Sequence, residues 1–167
     1  MTLSVLCLTH FPPAQVTAVL NQLRPVADEV VLAVDSRLEE AEAAKYSAAA
    51  DRLMRYEFCT STARALAWAH SQCRGDWVLR IDGDEVASPA LLSAIPRLVG
   101  RRDVLQYHIP RRWLFPDASG WLNELPWFPD YQTGWFATTP RSGLTAGSIR
   151  ACTIRCPPVT SKSRYII

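Results

Sequence analysis

Short apolar runs alternate along this chain with stretches whose apolar residues recur every three or four positions, a pattern that predicts strands separated by helices. Leu3 to Leu8 is an apolar run closed by Thr9-His10-Phe11-Pro12-Pro13, so it predicts a central strand ending in a turn. Pro13 suits a first helical turn, and Val16, Val19, Leu20 and Leu23 share one helical face until Pro25 stops it. Glu29 to Val34 reads as a second buried strand. Strand, helix and strand joined by short connections predict a right-handed parallel βαβ unit, the opening of a nucleotide-binding fold. A helix over Leu38 to Ala50 and a third strand over Arg52 to Phe58, with poor alternation, follow. Ser61 or Thr62 can cap the next helix, which places Ala65, Leu66, Ala69 and Cys73 on one face and His70 on the outer one.

The stretch around which the rest is organised is Gly75 to Glu85. Trp77, Val78, Leu79 and Ile81 have the side chains of a buried strand, which should end at Ile81 or Asp82 and run straight into the carboxylates Asp82, Asp84 and Glu85. Acidic groups at the carboxyl end of a strand in an open α/β sheet sit over the crevice where such sheets bind ligands. Two aspartates one residue apart, with Gly83 between them to let the backbone turn, can present oxygens to one hard divalent cation and to phosphates it bridges. A solvated turn after a core strand is the competing reading of the pair alone. Beyond it, Ser88 and Pro89 start a helix through Leu91, Leu92, Ile95 and Leu98 despite Pro96, and Val104 to Ile109 alternates as a strand. Arg111-Arg112 then lead into Trp113-Leu114-Phe115, with Trp121, Trp127 and Phe128 close behind. Such aromatics either stack on sugar rings or form a small hydrophobic cluster under a long loop, and both can hold together.

Composition narrows the class. With 49% apolar and 20% charged residues in 167, and no run of apolar residues long enough to span a bilayer, the chain reads as one soluble domain. Met1 to Thr9 lacks a basic leader and a cleavage site, which makes it a strand and predicts a cytoplasmic location. The five cysteines show neither zinc spacing nor a disulfide framework and are expected to be reduced. A net charge of +2 is too small to suggest nucleic acid, yet its distribution is uneven. Residues 1–133 hold 13 Lys and Arg against 16 Asp and Glu, whereas 134–167 hold five basic residues and no acidic one.

The block Cys73-Arg74-Gly75-Asp76-Trp77-Val78-Leu79-Arg80-Ile81-Asp82-Gly83-Asp84-Glu85 resembles the metal-binding Asp-x-Asp segment of family 2 glycosyltransferases. The aromatic segment from Arg112-Trp113-Leu114-Phe115-Pro116 to Trp127-Phe128-Pro129-Asp130 extends the likeness, which covers Leu3 to about Thr133. This resemblance implies a GT-A-like three-layer α/β/α sandwich with a mainly parallel sheet. It further implies inverting transfer of a sugar from a nucleoside-diphosphate donor to an acceptor hydroxyl, with Mg²⁺ or Mn²⁺ on the diphosphate. Asp82 and Asp84 would be the metal ligands, with Asp84 the more direct and Glu85 supporting. Thr9, His10, Asp35, Arg64 and Asp82 would line the donor site, and Asp130, with Glu124 as runner-up, would be the general base. For Asp35 a helix N-cap, for Arg64 a solvent-facing cation and for Asp130 and Glu124 a loop cap are the alternatives. The implied partners are a nucleotide-sugar and a glycan or lipid-linked acceptor, the latter leaving the inner face of the membrane open as a location.

After Thr133 the family pattern stops. Relatives continue into an Arg-Leu-x-Arg stretch and a Gly-Arg-x-His-like segment, while this chain reads Gly134-Trp135-Phe136-Ala137 and turns basic. A division into a donor-binding domain at 1–133 and an atypical tail at 134–167, poorly ordered or translated out of frame by one base, accounts for the break. On that reading the fold is incomplete at the C-terminus and activity is impaired. Nucleotidyl transfer is the rival enzyme class, but Thr9-His10-Phe11-Pro12-Pro13 lacks the glycine of a phosphate loop. A binding domain without turnover is the rival outside catalysis.

Overall fold

The computed structural model describes residues 1–57, 62–116, 120–137, 151–153 and 165–166. Strands β1 (Leu3–Thr9), β2 (Glu29–Asp35), β3 (Arg52–Tyr56) and β4 (Trp77–Arg80) form a parallel core, followed by β5 (Gln106–Trp113) and β6 (Asp130–Ala137). Two short strands, β7 (Ala151–Thr153) and β8 (Tyr165–Ile166), pair with β5. The sheet order is β3-β2-β1-β4-β6-β5-β7, with β6 antiparallel to both its neighbours. Helices α1 (Pro13–Leu23), α2 (Glu40–Ala44) and α4 (Pro89–Val99) cover one face, and α3 (Thr62–Ser71) covers the other.

The alternation within each strand explains the three layers. In β1, Leu3, Val5 and Cys7 point to the face of α1 and α4, while Leu6 points to α3. Strand β2 splits the same way, with Val30, Leu32 and Val34 against Val31 and Ala33, and β4 does so with Trp77 and Leu79 against Val78. Both faces of these strands are therefore apolar, as a parallel sheet under helices on two sides requires. Gly75 begins the approach to β4. Its amide donates to Ser4 Oγ at 2.8 Å, and a Cβ there would lie 2.5 Å from the Ser4 backbone nitrogen, so no other residue fits.

Several boundaries differ from the sequence expectation. The helix expected over Leu38 to Ala50 is the short α2 and then a 3₁₀ turn at Ser47–Ala49; buried Tyr46, whose hydroxyl donates to the Phe11 carbonyl at 2.6 Å, draws the chain onto the core between them. Asp35 consequently caps no helix. Strand β5 begins at Gln106, two residues after the expected start at Val104, and runs on past Ile109 through Pro110 to Trp113, beyond the point at His108 where β7 stops pairing. His70 is half-buried, not on an outer face, and burial lowers its pKa. Cys7 and Cys73 are free thiols, both pushed upward by burial; the side chains of Cys59, Cys152 and Cys156 lie outside the described residues. Of the tail, Gly134 to Ala137 complete β6, whose backbone pairs with β4 at Trp77, Val78 and Leu79. Among the described residues no helix is long and apolar enough to cross a membrane.

The N-terminal ends of the strands are fastened by Glu29. Its carboxylate accepts from Ser4 Oγ at 2.6 Å and from the Arg74 amide at 2.9 Å, and Arg52 Nη1 lies 3.3 Å away. Burial alone would raise this carboxyl, but the three partners outweigh it and hold the group below its ordinary value. Because the folded-state pKa is depressed, the stability that Glu29 contributes is complete above the ordinary carboxylate range and is lost as pH falls through the folded value. The urea midpoint of the wild type is expected to drop on going from pH 6 to pH 3, and that of Glu29→Gln to start lower and drop less. Parallel loss in both proteins would show that another group controls acid lability.

Candidate active site

The carboxyl ends of β1, β2 and β4 meet at one edge of the sheet, where the sequence-predicted residues gather. Thr9 pairs with Val34 in the β1–β2 ladder, one residue before Asp35. The turn after β4 is closed reciprocally: the Glu85 amide donates to the Asp82 carbonyl at 3.0 Å, and the Asp82 amide donates to Glu85 Oε2 at 2.9 Å. Gly83 at its tip is pressed against the end of β1. A Cβ there would lie 2.6 Å from Thr9 Oγ1 and 3.0 Å from the Phe11 ring, so the glycine answers a close approach and not a left-handed backbone. Gln15 of α1 donates to the Gly83 carbonyl at 3.1 Å and pins the turn from its other side.

The three carboxylates of this turn have different surroundings. Asp82 accepts from Arg80 Nη2 at 3.0 and 3.2 Å, and Arg111 Nη2 stands 3.6 Å away. Glu85 is 4% exposed, with Oε1 2.7 Å from Arg111 Nε at an angle that makes an ion pair without a hydrogen bond. Burial pushes its carboxyl up to about 7 against the pull of Arg111. Asp84 is half-buried and its carboxylate meets no hydrogen-bonding or ionic partner among the described residues. A hard divalent cation prefers oxygen donors and keeps most of its shell as water and phosphate oxygen, which suits one free carboxylate beside a second that can exchange Arg80 for metal. No three His, Cys, Asp or Glu side chains among the described residues come together as a metal-binding group.

Asp35 lies at the end of β2 with both carboxylate oxygens held by Arg37, whose Nε and Nη2 approach within 3.1 and 2.5 Å and whose amide donates at 2.9 Å. The Arg37 hydrogen bond, above all, holds this carboxyl below its usual range. A ligand reaching Asp35 must displace an exposed arginine. Arg64, exposed on α3, lines a cavity of about 330 Å³ with Arg55, Tyr56, Glu57, Ala65 and Trp68, and Tyr56 is the ladder partner of Asp35. His10 is exposed and stacks on Phe11, with centroids 4.6 Å apart.

Strand direction brings the other half of the site to the same edge. Since β6 is antiparallel to β4 and to β5, its first residue, Asp130, stands at the end where β4 and β5 finish, directly opposite Arg111 in the ladder. Asp130 Oδ2 accepts from Trp113 Nε1 at 3.2 Å. Glu124 begins a turn in which its carbonyl accepts from the amides of Trp127 and Phe128, and its side chain is exposed. Arg111 is the residue that sequence reasoning missed. Its position beside the aromatics was visible, but its reach across β6 to Asp82 and Glu85 depends on a strand order that no local pattern encodes. Arg112 points the other way, buried beneath Trp121 with its guanidinium 4.5 Å from the ring centroid.

The sheet order and the layering define an α/β fold of the GT-A type. Compared by sequence, the chain matches no protein-family model and no curated protein. Solved structures do match in fold. Staphylococcus aureus TarS, residues 1–349, is 17% identical over 99% of this chain and 60% of its own, with a TM-score of 0.60. Glucosyl-3-phosphoglycerate synthase of Mycobacterium tuberculosis is 17% identical over 65% of this chain and 44% of its own, at 0.51. The 4-diphosphocytidyl-2C-methyl-D-erythritol synthase of Anaerococcus prevotii is 13% identical over 81% and 70%, at 0.54. Thus the chain spans 40–60% of the length of the first structures it matches, and the likeness is one of fold.

Proposed function

We propose that this domain transfers a glycosyl group from a nucleoside-diphosphate sugar to an acceptor hydroxyl with inversion. The observation that carries the reading is the acidic turn after β4, which presses against Thr9 at the carboxyl ends of the parallel strands and presents in Asp84 a carboxylate without a partner among the described residues. Asp84 and Asp82 would hold Mg²⁺ or Mn²⁺, which when bound neutralises charge on the departing diphosphate. Thr9, His10 and Asp35 would receive the nucleoside, with Arg37 moving off Asp35 as it enters, and Arg64 would approach the diphosphate. Asp130 would take the proton of the acceptor hydroxyl as its oxygen attacks C1; the bond from C1 to the diphosphate oxygen breaks on the opposite face. Glu124 is the alternative base.

Thermal shift with UDP, GDP, dTDP and CDP, each with and without Mn²⁺, tests the donor half. A ligand at a hundred times its dissociation constant adds about 2.7 kcal/mol, which raises the midpoint of a domain this size by roughly 5–10 °C. One nucleotide is expected to give such a shift with Mn²⁺, and Asp84→Asn to lose the metal-dependent part while staying folded. A folded wild type that responds to no nucleotide would refute the reading and leave a domain without a donor site.

A further inference from the structure

Six large apolar side chains are exposed among the described residues, and four of them share one stretch of chain: Phe115 (62%), Leu125 (80%), Trp127 (43%) and Tyr131 (44%). Scattered singly such residues need no explanation, but four of them within the stretch between β5 and the head of β6 call for one. Trp127 is physically tied to the candidate base. Its ring stands edge to face with Trp113, centroids 5.5 Å apart at 67°, and Trp113 Nε1 donates to Asp130 Oδ2 at 3.2 Å. An open indole, a half-buried indole and a carboxylate thus form one connected series, and whatever stacks on Trp127 is held at a fixed offset from Asp130.

Charge selects the occupant. Of the described residues between 113 and 131, Glu124 and Asp130 are charged and none is basic; of the neighbouring arginines, Arg111, opposite Asp130, is engaged by Asp82 and Glu85, and Arg112 is turned inward beneath Trp121 and Phe128. Such a surface repels phosphate-bearing ligands and anionic lipid headgroups. It suits a neutral sugar, whose C–H face packs on an indole by dispersion while its hydroxyls donate to carboxylates. We infer that Trp127 is the stacking platform for a neutral pyranoside, the acceptor sugar whose hydroxyl faces Asp130. The inference rests on the transferase reading above and names its acceptor class.

Saturation-transfer NMR with the methyl glycosides of glucose, galactose, mannose and N-acetylglucosamine, without nucleotide, tests it independently of the donor site. At least one glycoside is expected to receive saturation at its ring C–H protons, to bind about tenfold more weakly in Trp127→Ala and to bind nearly as well in Trp127→Phe. Asp84→Asn should bind it as the wild type does. Equal binding in Trp127→Ala, or no transfer from any glycoside to the folded protein, would overturn the platform. So would Trp127-dependent co-sedimentation with phosphatidylcholine vesicles in place of sugar binding. Trp127-dependent sugar binding by a protein that responds to no nucleotide would sink the transferase reading and support the platform.

Discussion

Replacement of Trp77 by alanine is expected to remove about 4 kcal/mol of stability, the range for deleting a large buried aromatic. In a domain of this size that lowers the thermal midpoint by roughly 8–16 °C. Trp77 is fully buried at the start of β4 and packs on Tyr107 of β5, centroids 5.2 Å apart. Both residues also reach the end of α4. The Trp77 indole N–H donates at 3.0 Å to the Val99 carbonyl, one of those a helix leaves unpaired at its C-terminus, and the Tyr107 hydroxyl donates at 2.8 Å to the Leu98 carbonyl, which also accepts from the Arg101 amide. Alanine would therefore open a cavity and strand the Val99 carbonyl. Trp77→Phe keeps a six-membered ring, loses the donor and leaves a smaller cavity, so a cost of about 2 kcal/mol is expected. Differential scanning calorimetry of the two variants separates the terms; equal losses would mean that the hydrogen bond, not the ring, dominates. The functional consequence is indirect, because β4 sets the height at which Asp82 and Asp84 emerge.

How much of this was visible in the sequence depends on whether the determinant is local. Strands β1, β2 and β4 were legible because strands buried on both faces must be apolar at nearly every position, and the intervening helices because Val16, Val19, Leu20 and Leu23 keep a helical period. The acidic turn was legible as well, since it follows directly on an apolar run. Less visible was what the fold does with each carboxylate. Asp82, Asp84 and Glu85 look alike in sequence, yet one is held by Arg80, one is open and one is buried against Arg111. The hold of Arg80 on Asp82 is a local pair two residues apart, whereas that of Arg111 on Glu85 comes from β6 inserting between β4 and β5, so that a strand adjacent in sequence order is not adjacent in space. The same insertion places Asp130 at the edge that carries Asp82. The role of Arg37 escaped for a different reason: its contact with Asp35 is local, but a pairing of residues two apart leaves no periodic trace.

Arg111 carries the second large effect. Its guanidinium serves a buried Glu85 and a half-buried Asp82, and taking it away leaves a carboxylate in a poorly solvated place that must stay charged without compensation or take up a proton. Arg111→Met is expected to cost about 3 kcal/mol, toward the lower end for a buried pair because the arginine keeps some contact with solvent. Arg111→Lys should fall between, as a single ammonium cannot match a guanidinium that reaches two carboxylates at once. Glu85→Gln retains an acceptor for the Asp82 amide and removes the charge that Arg111 balances. The double variant is therefore expected to be more stable than the sum of the single changes predicts by about 1 kcal/mol or more. Urea unfolding of the four proteins completes the cycle, and strict additivity would show that Arg111 and Glu85 do not act as a pair. A positive coupling would also explain the geometry of the open carboxylate: Glu85, held by Arg111, closes the turn on the Asp82 amide, and that closed turn is what leaves Asp84 without a partner among the described residues.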